Sequence, residues 1–309
     1  MKRVSFALLG LLALPALAAE FPEWAYPVDS DPKPRDGTTM ISLPGSDKKY
    51  TQAQIDDGFN PPDWYPGDHK AMPDIVARGR KEADIRACAL CHLTNGAGHP
   101  ETAATAGLPT AYFLREMAEF KSGARSGTNA SAMISIAKAI SEADVRAAAA
   151  YYSSQRYSKW YKVVESNTVP KSYISNGGIR LAVDTGETEP LGNRIIELPD
   201  NNLSAESRDS RSGFTAHVPP GSIKKGETIV VTGGGKVPPC NVCHGPDLRG
   251  LMDVPQIIGR SPTYVFRQLY DVKMGNRTGA KASMMKAIGE NLEPDDMIAV
   301  AAYLASQGR

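Results

Sequence analysis

The sequence predicts an all-α protein built from two tandem copies of one small helical domain, with a Pro-rich N-terminal extension and an irregular connector that carries short β-strands. Three observations predict this. A shift of 152 residues superposes Cys88 on Cys240 and runs without a gap to Gln155 on Gln307, with 22 of 68 positions identical. Each copy closes on an amphipathic helical stripe, Val145, Ala148, Ala149 and Tyr152 in one and Met297, Val300, Ala301 and Leu304 in the other. Each copy also opens on the same pattern, Cys88-Ala89-Leu90-Cys91-His92 and Cys240-Asn241-Val242-Cys243-His244.

C-x-x-C-H is the signature of covalent c-type haem attachment. Two thiols three residues apart on one turn each add to a haem vinyl group, and the adjacent imidazole then faces the iron. His92 and His244 are therefore the expected proximal ligands, and the cofactor expected is two covalently bound haem c groups. A zinc ribbon is the competing reading of two C-x-x-C knuckles. It brings them together from much nearer than the 148 residues between Cys91 and Cys240, and it needs no His after each. All four cysteines lie in these motifs, which leaves none for a disulfide, a third haem or a thiolate axial ligand.

In chain order, residues 1–18 read as an export signal: Lys2 and Arg3, an apolar run from Phe6 to Leu14, then Ala16 and Ala18 before the cut. The expected location is the periplasm. The run is too short to span a bilayer comfortably, so no integral membrane segment is expected in the mature protein. Loss of residues 1–18 removes two basic groups and no acidic ones, leaving a formal charge of −1. That balance argues against nucleic acid or an anionic membrane as the main partner.

Residues 19–71, rich in Pro, Asp, Trp and Tyr, read as an extended wrap over the first haem domain, because prolines disfavour long helices while Trp24, Tyr26, Trp64 and Tyr65 seek burial. The first haem domain is expected at 72–166, with helical stretches near Asp74 to Ile85 and Tyr112 to Lys121. Its closing helix follows Ser141-Glu142-Ala143-Asp144, which resembles a capping box. The connector, 167–221, holds turn dipeptides and short apolar runs such as Ile179 to Val183 and Arg194 to Leu198 that suit strands. The second haem domain is expected at 222–309, with helices near Ser222 to Val231, Tyr264 to Lys273 and after Pro294, which fits a first helical turn.

With its C-x-x-C-H motifs, Gly-x-Arg loops (Gly123 and Arg125, Gly275 and Arg277) and matched closing helices, the chain resembles the dihaem members of the class I cytochrome c family, including the cytochrome c4 type. The resemblance covers about Met72 to Tyr161 and Ser222 to the C-terminus, and it implies electron transfer with His/Met iron ligation. It also implies a Pro carbonyl that accepts the proximal His N–H. Pro255 suits that role for His244, while the repeat puts Ala103 opposite for His92. The first copy also lacks the Gly-Pro-Asp-Leu-x-Gly run that the second keeps at Gly245 to Gly250.

A Met thioether raises haem potential and leaves no open iron. Met133 and Met285 are repeat partners, read as standing in loops eight residues before Ser141 and Glu293, and are the expected sixth ligands; Met284 rivals Met285 because the alignment there can slip by one. Met117 pairs with Leu269 and reads as core. Arg125 and Arg277 are candidates for haem propionates, since a guanidinium matches carboxylate geometry. His69, His99 and His217 have no partner at the 152 offset and read as surface or hydrogen-bonded histidines.

The expected function is that of a periplasmic electron carrier with no catalytic residue, moving electrons from a dehydrogenase or reductase towards a terminal oxidase. The alternatives are a dihaem enzyme such as a peroxidase, which needs an open iron, and the dedicated cytochrome subunit of a dehydrogenase. Oligomeric state is not legible.

Overall fold

In the computed structural model, residues 21–27, 35–127, 130–158 and 160–307 are described; the expected export signal lies outside them. The two copies are helical and carry the same elements in the same order. The first has the C-x-x-C-H turn Cys88–His92, a middle helix Thr110–Ser122, a distal helix Ser131–Ala139 and a closing helix Glu142–Ser153. The second has the turn Asn241–His244, a middle helix Pro262–Lys273, a distal helix Lys286–Asn291 and a closing helix Pro294–Ser306.

Local chemistry fixes these ends. Ser141 Oγ accepts from Asp144 N at 3.1 Å to start the first closing helix. Pro294 opens the second one, where its missing N–H costs nothing, and Glu293 and Asp296 form a capping box. Met297, Val300, Ala301 and Leu304 are then buried as one stripe. The helix Ser222–Thr232 crosses the closing helix beside Ala299 and Tyr303, closely enough that a Cβ on Gly226 would meet the Ala299 carbonyl oxygen, so glycine is required there.

The helix expected over Asp74 to Ile85 is interrupted. It forms only at Asp74–Ala77, followed by a 3₁₀ turn at Lys81–Ala83. Gly79 takes a left-handed φ of 68° and packs against the Ile85 carbonyl, while Arg80 and Ile85 exchange backbone hydrogen bonds, so the chain doubles back.

The wrap does not lie only on the first domain. Phe21, Trp24, Ala25 and Tyr26 join the core of the second, with the Trp24 ring 4.6 Å from Phe266. The later part of the extension gathers Ile41, Leu43, Ile55, Trp64 and Tyr65 into a cluster of its own. This part does reach the first domain, through Ala87 N donating to Gly58 O at 2.8 Å, and it reaches the connector through Trp64 Nε1 donating to Ser207 O at 2.7 Å.

The connector carries short strands. Phe214–Val218 pairs in parallel with Tyr161–Glu165 and antiparallel with Ile196–Pro199. It is pinned to the second domain by the buried Glu197, whose carboxylate accepts from Ser261 Oγ at 2.8 Å and Thr263 N at 2.7 Å at the start of the middle helix.

The two copies meet along a seam with local twofold character. Arg125 and Arg277 form an antiparallel bridge, flanked by Ser126 N donating to Asn276 O and Thr278 N donating to Ala124 O, both at 2.7 Å. Each of these contacts exchanges with the other under the 152-residue shift.

Candidate functional site

Each C-x-x-C-H segment forms a short helical turn that holds its two cysteines on one side, and all four thiols are free. Both histidines are oriented in the same way. His92 Nδ1 lies 2.8 Å from Ala103 O and His244 Nδ1 lies 2.9 Å from Pro255 O. A carbonyl only accepts, so Nδ1 is the donor in each ring and Nε2 keeps a free lone pair, the arrangement an iron ligand needs. Burial lowers the pKa of both imidazoles and so favours this neutral form, against the carbonyl contact, which favours the charged one. The proline is thus unnecessary: position 103 delivers the same carbonyl from alanine. Burial pushes the Cys88 thiol up to about 12 and the Cys240 thiol up to about 11.

The residue after each histidine has positive φ, 63° at Leu93 and 84° at Gly245, which swings the chain into the proximal loop. Beside His92 stands Tyr152, ring centroids 6.3 Å apart, with Phe113 stacked on Tyr152 at 6.4 Å. These apolar walls, the two thiols and the free Nε2 fit a haem. Among the described residues no group of three or more His, Cys, Asp or Glu side chains is placed to hold a bare metal ion.

Met133 is not in a loop: it lies in the first turn of the helix Ser131–Ala139, and Met285 ends a 3₁₀ turn, Ala282–Met285. The Gly-x-Arg segment is short enough that the following helix starts before the methionine. Met133 and Cys88 pack against one apolar cluster, Met285 and Cys240 against the other, while Met284 is 67% exposed. Met117 is a core residue of the first cluster.

Arg125 and Arg277 are drawn together at the seam. Arg125 donates to Glu116 Oε2 at 2.5 Å and Gln268 Oε1 at 2.9 Å; Arg277 donates to Glu116 Oε2 at 2.9 Å and Gln268 Oε1 at 3.1 Å. Glu116 and Gln268 are themselves repeat partners, so one carboxylate serves two buried guanidiniums. Arg277 Nε is buried with no protein partner, which leaves a donor for a further anion such as a propionate. The sequence reading missed Glu116 and Gln268, although a Glu and a Gln at one repeat position are a visible asymmetry.

It also missed Arg208 of the connector, which donates to Leu90 O at 2.5 Å and Ile55 O at 3.1 Å and so covers the first C-x-x-C-H turn. Leu90 is 5% exposed and its repeat partner Val242 is 65% exposed. His69 Nε2 lies 3.0 Å from Asp63 Oδ1, whose hydrogen bond raises the histidine's pKa, and His99 Nδ1 lies 3.0 Å from Glu101 Oε1. His217 lies on the strand Phe214–Val218 and its Nδ1 is buried without a hydrogen-bond partner.

No protein-family model matches the chain. The thiosulfate dehydrogenase electron acceptor of Thiomonas intermedia is 26% identical over 240 residues, 77% of this chain and 85% of that one. Cytochrome c4 of Azotobacter vinelandii is 29% identical over 142 residues, 41% of this chain and 67% of its own. A solved thiosulfate dehydrogenase (TsdBA) of Marichromatium purpuratum matches 75% of this chain at 24% identity and a TM-score of 0.49, and the chain spans 38% of its length. Cytochrome c-554(548) of Halomonas halodenitrificans is 34% identical over 76 residues, 24% of this chain and 92% of its own. That relative is matched over nearly its whole length, and the repeated C-x-x-C-H turn supplies two haem-binding units: the chain belongs to the dihaem class I cytochrome c family.

Proposed function

We propose that this protein is a periplasmic electron carrier that accepts electrons from a dehydrogenase and passes them towards a terminal oxidase, with no catalytic residue of its own. Residues 72–166 and 222–309 are the proposed haem domains. Cys88, Cys91, Cys240 and Cys243 are the attachment points, His92 and His244 the proximal ligands, and Met133 and Met285 the distal ones. The observation that carries this reading is the matched pair of imidazoles, each with Nδ1 committed to a carbonyl and Nε2 free.

Haem iron held in this way supplies a one-electron couple whose potential follows axial ligation and burial. The protein's part is to keep each imidazole in one tautomer, wall the site with apolar groups and close the sixth position. The choice of Met285 over Met284 is supported by packing, since Met285 lies against the core. A closed sixth position suits a carrier and does not suit a peroxidase. The likeness to a thiosulfate dehydrogenase electron acceptor supports a dehydrogenase as donor. Among the described residues no helix is long and apolar enough to cross a membrane.

Redox-titrated absorption of the purified protein tests the reading. Two one-electron waves are expected, with the sulfur-to-iron charge-transfer band of oxidised His/Met haem. A stable high-spin haem in the oxidised protein would overturn it in favour of an open, reactive iron.

A further inference from the structure

The repeat gives the second domain a covered face whose counterpart on the first domain is bare. On the middle helix Pro262–Lys273, Phe266 and Tyr270 stack with ring centroids 5.6 Å apart, and the chain's own N-terminal segment lies on them. The Trp24 ring is 4.6 Å from Phe266 and the Phe21 ring 5.9 Å from Tyr270. Polar contacts also hold the segment: Tyr26 Oη donates to Asp271 Oδ1 and Arg267 Nη1 donates to Ala25 O, each at 3.0 Å.

At the repeat positions of Phe266 and Tyr270 the first domain has Leu114 and Ala118. Both line a cleft of about 200 Å³ between the middle, distal and closing helices, floored by Met117, Ile140 and Val145. The rim carries Lys121, Arg146 and Glu142. No cysteine, histidine or distal methionine of the haem sites lines it. The corresponding floor in the second domain, Leu269, Leu292 and Met297, is buried.

We propose that this cleft is a docking site for an extended, aromatic-bearing segment of a partner polypeptide, seated as residues 21–26 are seated on the second domain. In the second domain the protein supplies Phe266 and Tyr270; in the first, the smaller Leu114 and Ala118 leave that volume to the ligand. A dry apolar cavity of about 150 Å³ is enough to take one benzene ring, so the cleft accommodates an aromatic anchor. On the rim Arg146 pairs with Glu142 at 3.5 Å, so Lys121 supplies the net positive charge and favours a segment that also carries an acidic residue, as the resident one does in its exposed Glu23. Pro-bearing extended segments docked on an apolar groove are an established mode of peptide recognition, and the resident segment carries Pro22 and Pro27. The proposal does not depend on electron transfer, because binding is read on the oxidised protein.

The probe is a synthetic peptide of the sequence of residues 21–27, Phe-Pro-Glu-Trp-Ala-Tyr-Pro, labelled and titrated with the full-length holoprotein while its anisotropy is followed. Saturable one-to-one binding is expected, weakened about tenfold or more by Ala118→Glu, which occupies the mouth of the apolar cleft with a polar side chain and offsets the positive charge of its rim. Ala118 is exposed on a helix and Glu is a good helix former, so the haem spectrum of this variant should match wild type. An all-alanine replacement of the three aromatic residues in the peptide should abolish binding. No binding to wild type, or binding that Ala118→Glu leaves unchanged, overturns the proposal. Concentration-dependent dimers in sedimentation that vanish in a Trp24→Ala variant overturn the assignment to a separate partner, since a second copy would then be the occupant.

Discussion

Arg125 and Arg277, identical residues 152 positions apart, pair with each other across the seam, and both guanidiniums close on the single carboxylate of Glu116. The acidic contacts to these arginines come from one side only, since the repeat partner of Glu116 is the neutral Gln268.

Glu116→Gln should therefore do two things. It leaves two largely buried guanidiniums without their shared carboxylate, which should lower unfolding free energy by about 3 kcal/mol, the low end of what is seen when one partner of a fully buried pair is removed. Removing a negative charge near the haem sites should also raise both potentials, because it favours the less positive, reduced form. Denaturant unfolding and potentiometry read the two effects, and Gln268→Glu should shift the potentials in the opposite direction.

Met133→Ala and Met285→Ala should each open one sixth position, so that one haem per molecule binds carbon monoxide and its potential falls. Met117→Ala and Met284→Ala should leave the distal sites closed, because the first is core and the second points to solvent. Absorption spectra under carbon monoxide distinguish these cases.

The two turns should also differ in access. Arg208 and the extension cover Leu90 while Val242 is open, so the first site should have the higher potential, burial disfavouring the more positive oxidised haem. Arg208→Ala should bring the two redox waves closer together. A charged residue at Val242 should slow electron exchange with protein partners and leave stability within about 0.5 kcal/mol, as for ordinary surface changes.

Glu197 makes a prediction about pH. Burial raises its pKa above the usual 4.5, opposed by the hydrogen bonds from Thr263 and Ser261. A carboxyl group raised in the folded state contributes most below its unfolded pKa, and that contribution is lost as pH rises through the folded value. Glu197→Gln should flatten the fall in Tm on going from pH 4.5 towards neutral, measured by calorimetry at several pH values.

Much of this architecture is legible from Cys88 to Gln155 and Cys240 to Gln307, because a gapless repeat carries both helix order and haem attachment. What is illegible involves partners distant in sequence. Trp24 announces that it will be buried but carries no address, and it lies on Phe266, beyond the domain that follows it. Arg125 and Arg277 can be seen as equivalent, yet that they meet follows only from how the copies pack. Position 103 shows a different limit, since a backbone carbonyl serves His92 whatever side chain it carries. Leu93 shows a third: Gly245 announces a turn, whereas Leu93 is held at φ 63°, a conformation costing about 1–3 kcal/mol for a non-glycine residue, and is retained as a buried apolar side chain.

The seating of residues 21–26 on the helix 262–273 sets an order of events during synthesis. The segment is made well before the surface that receives it, so it must stay unengaged while some 240 residues are made. Removing either partner should therefore damage the same structure: loss of residues 21–26 bares Phe266 and Tyr270, and loss of the helix 262–273 leaves Trp24 and Tyr26 with nothing to cover.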